Sequence, residues 1–97
     1  MSQLQTGTFQ TNFKLFNLSK EILETISLEY SILAQVRNLN FEYINNSDEP
    51  LVYADRYTTS QIFDNLLNNS IKFTNAGFIR IILERTDSGT LRVTIAD

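Results

Sequence analysis

The sequence predicts an α/β protein: a two-layer α/β sandwich in which two helices lie on one face of a mixed sheet. Three observations lead there. Two segments repeat apolar residues at three-four spacing, shorter segments alternate apolar with polar residues, and the two kinds follow one another in the order βαββαββ. Two helices that must each bury one face, together with five strands, are satisfied most simply by one layer of helices on one sheet. A chain of 97 residues with 42% hydrophobic and 11% aromatic content makes one domain or part of one.

The elements are justified in order. Residues 1–12 are polar and rich in Gly, Thr and Gln, with Leu4 and Phe9 as the large apolar groups, and read as an N-terminal arm; residues 13–97 carry the fold. Phe13-Lys14-Leu15-Phe16 reads as a short strand. Ile22, Leu23, Ile26, Tyr30, Leu33 and Ala34 then recur at helical spacing and predict a helix over Leu18 to Val36. Asn17 or Ser19 is its candidate cap, and Glu21 and Glu24 suit its positive end. Leu39, Phe41 and Tyr43 alternate with Asn40 and Glu42, a strand bounded by the turn-rich Asn45-Asn46-Ser47-Asp48-Glu49-Pro50. Leu51-Val52-Tyr53-Ala54 is a further strand, and Asp55 the N-cap of a second helix from about Arg56 to Thr74, closed by Asn75-Ala76-Gly77. Phe78 to Arg85 and Thr90 to Ala96 form an antiparallel hairpin across Thr86-Asp87-Ser88-Gly89.

Composition removes whole classes of function. Eight Lys and Arg against eleven Asp and Glu give a net charge of -3, which offers no basic footprint for nucleic acid or an anionic membrane. No apolar run approaches the roughly 20 residues of a membrane span, and no segment reads as a signal peptide, so a cytoplasmic location is expected. Without Cys or His there are no disulfides, thiol chemistry, imidazole bases or histidine phosphoacceptors in these residues. Three Gly and one Pro leave no glycine-rich phosphate loop, so a nucleotide site must be built otherwise.

The second helix is the informative one. At ~100° per residue, Gln61, Asn65, Asn69 and Lys72 fall within about an 80° sector, while Ile62, Phe63, Leu66, Leu67, Ser70 and Phe73 spread over the other side, with Ser70 expected buried. A solvated face explains a polar stripe, but Asn65, Asn68 and Asn69 each give up as much as roughly 0.7 kcal/mol of helix propensity relative to Ala. A carboxamide oxygen is a neutral hard ligand that suits Mg²⁺ beside phosphate oxygens, and a Lys one turn on supplies charge for those phosphates.

With these residues assembled, Gln61-Ile62-Phe63-Asp64-Asn65-Leu66-Leu67-Asn68-Asn69-Ser70-Ile71-Lys72-Phe73-Thr74 resembles the N box of two-component sensor histidine kinases. The preceding strand ending in Asp55, the following Asn75-Ala76-Gly77 and the upstream Phe13, Leu15 and Leu18 agree, so the resemblance covers nearly the whole chain. It implies the N-terminal part of an ATP-binding catalytic domain, an α/β sandwich that binds ATP and Mg²⁺ and passes the γ-phosphoryl group to a histidine on a separate dimerisation domain, with a response regulator downstream. The resemblance makes Asn69 the Mg²⁺ ligand, with Asn65 assisting one turn earlier and Lys72 contacting phosphate. Phe73 lies either near the nucleotide or in the core. Asp97 matches the aspartate that accepts from the adenine amino group and opens the glycine-rich box Asp-x-Gly-x-Gly.

Two departures from the pattern matter. Ser70 replaces the usual Ala, small for small, and the chain stops at Asp97, ahead of the glycine-rich box and the lid over the phosphates. This chain alone is therefore expected to bind ATP poorly or not at all, to be inactive as an enzyme, and to expose a sheet edge or uncovered core through which a homodimer can form. The parent kinase is either soluble or membrane-anchored. Gyrase, mismatch-repair ATPases and a heat-shock chaperone share the wider fold but carry an acid where this chain has Asn65; an amide is no general base, which favours phosphoryl transfer over hydrolysis. The alternative function is a non-catalytic interaction or self-associating half-domain. With no histidine in the chain, incubation with labelled ATP should leave no acid-labile, base-stable label on it, and such a label would contradict the assignment of the acceptor to another domain.

Overall fold

A computed structural model describes residues 12–97; the expected arm lies outside them except for Asn12. The elements are β1 (Phe13–Asn17), a π-helical turn (Ser19–Leu23) running into α1 (Glu24–Val36), β2 (Asn40–Asn46), β3 (Leu51–Asp55), α2 (Arg56–Phe73), β4 (Phe78–Arg85) and β5 (Leu91–Ala96). The βαββαββ order and the α/β class are as expected. The strands divide into two ladders: β1 pairs antiparallel with β3, and β2, β4 and β5 form a mixed sheet, parallel between β2 and β4 and antiparallel between β4 and β5.

Period-two patterning makes the three-stranded sheet two-faced. Ile79, Ile81 and Leu83 of the central β4 are fully buried, flanked by Phe41, Tyr43, Val93 and Ile95 packed against the same core. The opposite face carries two charge pairs, Glu42 directly across from Arg80 at 2.8 Å and Glu84 across from Arg92 at 3.3 Å, on either side of the Ile44–Ile82–Thr94 row. Such exposed pairs hold register more than they add stability.

Helix ends follow capping chemistry. Asn17 Oδ1 accepts from the Lys20 N–H at 2.9 Å and serves as the first cap, whereas Ser19 is buried and its hydroxyl pairs with that of Tyr43 at 2.6 Å and donates to Glu24 Oε2 at 3.1 Å. The helix that was expected to run regularly from Leu18 is π-wound over its first turn, with the Glu24 N–H bonded back to the Ser19 carbonyl. α1 ends in a Schellman arrangement: Asn38 takes a left-handed φ of 60° and the Leu39 N–H reaches the Ala34 carbonyl at 2.8 Å. Asp55 caps α2 as expected, accepting from the Thr58 N–H at 3.0 Å.

α1 buries Ile26, Tyr30 and Ala34, and the turn before it buries Ile22 and Leu23. α2 buries only Leu67 and Ile71, with Phe63 half-buried, so its core contact is a seam of one residue per turn. The broad apolar arc expected on this helix is corrected accordingly: Ile62 and Leu66 are 52% and 47% exposed, Phe73 is 71% exposed, and Ser70 is half-buried because Ile71, one position on, takes the inward place.

Two expected outcomes test this packing. Leu67→Ala should cost about 2–5 kcal/mol of unfolding free energy in a denaturant titration, whereas Phe73→Ala should stay within about 0.5 kcal/mol. Asp55 has its carboxyl held below the ordinary carboxylate range by backbone N–H donors, Asn12 first and Thr58 next. A depressed folded-state value means stability that is present above the unfolded carboxylate range and lost as pH falls through the lowered value; Asp55→Ala should lower Tm at neutral pH and flatten that acid limb.

Candidate functional site

The narrow seam on α2 decides what the rest of the helix presents. With Phe63, Leu67 and Ile71 turned inward, Gln61, Asn65, Asn68, Asn69 and Lys72 are all exposed. Gln61, Asn65, Asn69 and Lys72 recur at three-four spacing and stand as one stripe of amides ending in an amine. The chain continues through Phe73, whose ring is free of the core and lies 5.7 Å from Lys72 Nζ, a cation–π separation. Of the two expectations for Phe73, near the nucleotide or in the core, this exposure removes the core.

Topology brings the last site residue to the same end. β5 runs antiparallel to β4, so Ala96 lies opposite Arg80 near the start of β4, and that start follows α2 by a short loop. Asp97 therefore emerges beside the α2 terminus, where Thr74 Oγ1 donates to Asp97 Oδ2 at 3.2 Å. Lys72, Phe73, Thr74 and Asp97 gather at one corner, and Asn69 and Asn65 lead away from it along the helix.

The back of the stripe is tied to α1. The Tyr30 hydroxyl donates to Asp64 Oδ1 at 2.5 Å and contacts the Asp64 carbonyl at 3.1 Å. Burial first, and this carboxylate second, push the phenol above its ordinary value, so it remains a protonated donor. Arg37 Nη1 donates to the carbonyls of Ile71 at 2.6 Å and Lys72 at 3.5 Å, a cation at the negative end of α2. Between the helices Leu33, Val36, Arg37, Asn68, Ile71 and Lys72 line an open groove of about 350 Å³.

Tyr30, Arg37 and Thr74 were not singled out in the sequence. Tyr30 occupies a helical apolar position, and nothing local marks its hydroxyl as bonded 34 residues away. Among the described residues no three Asp or Glu side chains gather into a metal cage, so a cation at the stripe would rest on amide oxygens and on its own ligands.

No family model matches the chain. Among curated proteins it is 34% identical over 99 residues to the adaptive-response sensory kinase SasA of Prochlorococcus marinus, an alignment that takes in 97% of this chain and 26% of that kinase. Among solved structures it superposes on histidine kinase ThkA, in complex with the response regulator protein TrrA, with a TM-score of 0.75 and 26% identity over 88% of this chain and 25% of that one. A nucleotide-free form of the ThkA catalytic domain gives a TM-score of 0.74 and 28% identity, with 87% of this chain and 56% of that domain covered. The chain thus spans about a quarter of the length of the SasA and ThkA chains and about half of an isolated catalytic domain. Relatives in sequence and neighbours in structure agree: the chain is homologous to part of the histidine kinases and has the fold of their catalytic domain.

Proposed function

We propose that this chain supplies the N-box side of an ATP–Mg²⁺ site in a histidine kinase, which in the whole protein moves the γ-phosphoryl group from ATP to an imidazole nitrogen of a histidine on a separate dimerisation domain and releases ADP. The observation that carries this reading is the exposed stripe of Asn65, Asn69 and Lys72 converging on the corner where Thr74 meets Asp97. Asn69 would hold Mg²⁺ through its amide oxygen with Asn65 beside it, Lys72 would neutralise phosphate charge, Phe73 would offer an aromatic face, and Asp97 would accept from the adenine amino group. The response regulator bound to ThkA supports a response regulator as downstream partner. Among the described residues no helix is long and apolar enough to cross a membrane, which fits a cytoplasmic placement of this segment.

A second reading, a self-associating or interaction module, draws on one surface. The outer side of the β1–β3 ribbon exposes Phe13, Leu15, Leu51 and Tyr53, with the Phe13 and Tyr53 rings 5.6 Å apart. A second copy of the chain is the homodimer partner this reading requires.

Titration with millimolar Mg²⁺-ATP, followed by amide and side-chain amide NMR, separates the two. Shifts should concentrate at Asn65, Asn69, Lys72, Phe73 and Asp97, and Asn69→Ala should abolish the Mg²⁺-dependent part while leaving stability within about 1 kcal/mol, since an exposed Asn gives way to a better helix former. Silence along α2 together with a concentration-dependent mass would favour the module, and unfolding of Asn69→Ala would make it a structural amide.

A further inference from the structure

Seated by Leu67 and Ile71 with half-buried Phe63, α2 rests on a contact that is non-directional. Burial of so thin a seam resists separation of helix from sheet but only weakly resists rotation or sliding of the helix. Either motion would redirect Asn65, Asn69 and Lys72. Hydrogen bonds have the directionality that the seam lacks.

Two polar connections from α1 supply it. Tyr30 reaches Asp64 and Arg37 reaches Ile71, and both partners lie 34 residues further along the chain. An identical offset at two places means that α1 and α2 run in the same direction in one fixed register. The two anchor points on α2 stand seven residues apart, about two turns or roughly 10 Å of helix. Asn65 and Asn69 lie between them, and Lys72 lends its own carbonyl to the second. A rotation or a one-residue slip of α2 has to break both connections together.

Resting on the reading of the stripe as an ATP–Mg²⁺ site, we propose that Tyr30 and Arg37 are positioning residues: a two-point clamp from α1 that sets the rotation and register at which Asn65, Asn69 and Lys72 meet the metal-bound phosphates. The Tyr30 ring is buried whether or not its hydroxyl is present, so the hydroxyl can be removed without opening a large cavity. Asp64 contributes as the acceptor of the clamp, turned from the stripe toward α1.

The test uses the 97-residue chain, with backbone amide hydrogen exchange and the Mg²⁺-ATP titration read in parallel on each variant. Tyr30→Phe and Arg37→Met should each speed exchange over 65–72 by about three- to tenfold, leave the amides of Ile79, Ile81 and Leu83 protected, and weaken Mg²⁺-ATP by a similar factor. Asp64→Ala should match Tyr30→Phe, and the double variant should be no worse than either alone. Asp64→Asn, which keeps an acceptor, and Arg37→Lys, which keeps a donor, should restore much of the loss. Unchanged exchange in Tyr30→Phe, an equal rise across β4, or additive effects of Tyr30→Phe and Asp64→Ala would each overturn the clamp. Faster exchange with unaltered Mg²⁺-ATP affinity would overturn its positioning role. If the unsubstituted chain gives no Mg²⁺-ATP response, the titration is repeated on the complete catalytic domain; silence there too overturns the nucleotide reading, while the exchange pattern on its own decides whether Tyr30 and Arg37 hold α2 in place.

Discussion

The thinness of the contact between α2 and the core is the constraint on which the rest of the structure depends. A helix of 18 residues that buries two side chains fully and a third by half gains little from burial per residue, and it cannot afford a wider apolar stripe without losing the polar face it presents. Its position is therefore set by directional groups around it. Asp55 caps the start, Tyr30 holds Asp64, Arg37 closes the last carbonyls, and Thr74 carries the chain onto Asp97. Each bond is modest alone, on the order of 1 kcal/mol between neutral groups and more where a charge takes part. Distributed along one helix, they determine its orientation.

The sheet supplies the rigid reference for that helix. β4 is paired on both sides and its inward residues are fully buried, which makes it the least accessible strand of the three. The Asn40 N–H reaches the Gly77 carbonyl at 3.0 Å, so the loop leaving α2 is tied to the start of β2 just as it enters β4. Gly77 adopts φ 107°, a conformation that permits the sharp entry. Because β5 returns antiparallel, its end must come back to that entry. The meeting of Asp97 with the α2 terminus is thus a consequence of strand direction, and Thr74 only fixes its last few ångströms.

Most elements were legible because their signals are local. Asp55 before a helical run, alternation over Phe78 to Arg85, and Gly89 at φ 89° in the hairpin turn are each determined within a few residues. What escaped depended on distant partners. Periodicity marks Ile62 and Leu66 as apolar but does not say that the core under α2 is one residue wide, and it assigns Ser70 inward although Ile71 fills that place. The π-wound turn has no sequence signature; it accompanies a buried Ser19 hydroxyl meeting Tyr43 and Asn45 from β2, a contact across more than twenty residues. The division of five strands into two ladders likewise depends on long-range pairing that alternation alone leaves undecided. The stripe itself was readable because three Asn in one helix are locally unfavourable, and a local disadvantage is visible without knowledge of the fold.

The placement of acids around α2 bears on the chemistry. Hydrolysis of a bound phosphoanhydride needs a group that accepts a proton from water, and the exposed stripe carries no carboxylate: at Asn65 and Asn69 it offers amides, which are not general bases. Asp64 is the carboxylate next to Asn65 in sequence, yet it accepts from the Tyr30 hydroxyl on the α1 side of the helix. Asp97 stands at the far corner and accepts from Thr74. If the stripe is the ATP–Mg²⁺ site proposed above, amides would face the metal-bound phosphates while the nearest acid turns toward the neighbouring helix, an arrangement that would orient a phosphoryl group for an acceptor brought from elsewhere. On the proposed reading, the Tyr30 hydroxyl, bonded to both the carboxylate and the carbonyl of Asp64, would hold the stripe in register and keep the adjacent carboxylate on the α1 side of the helix.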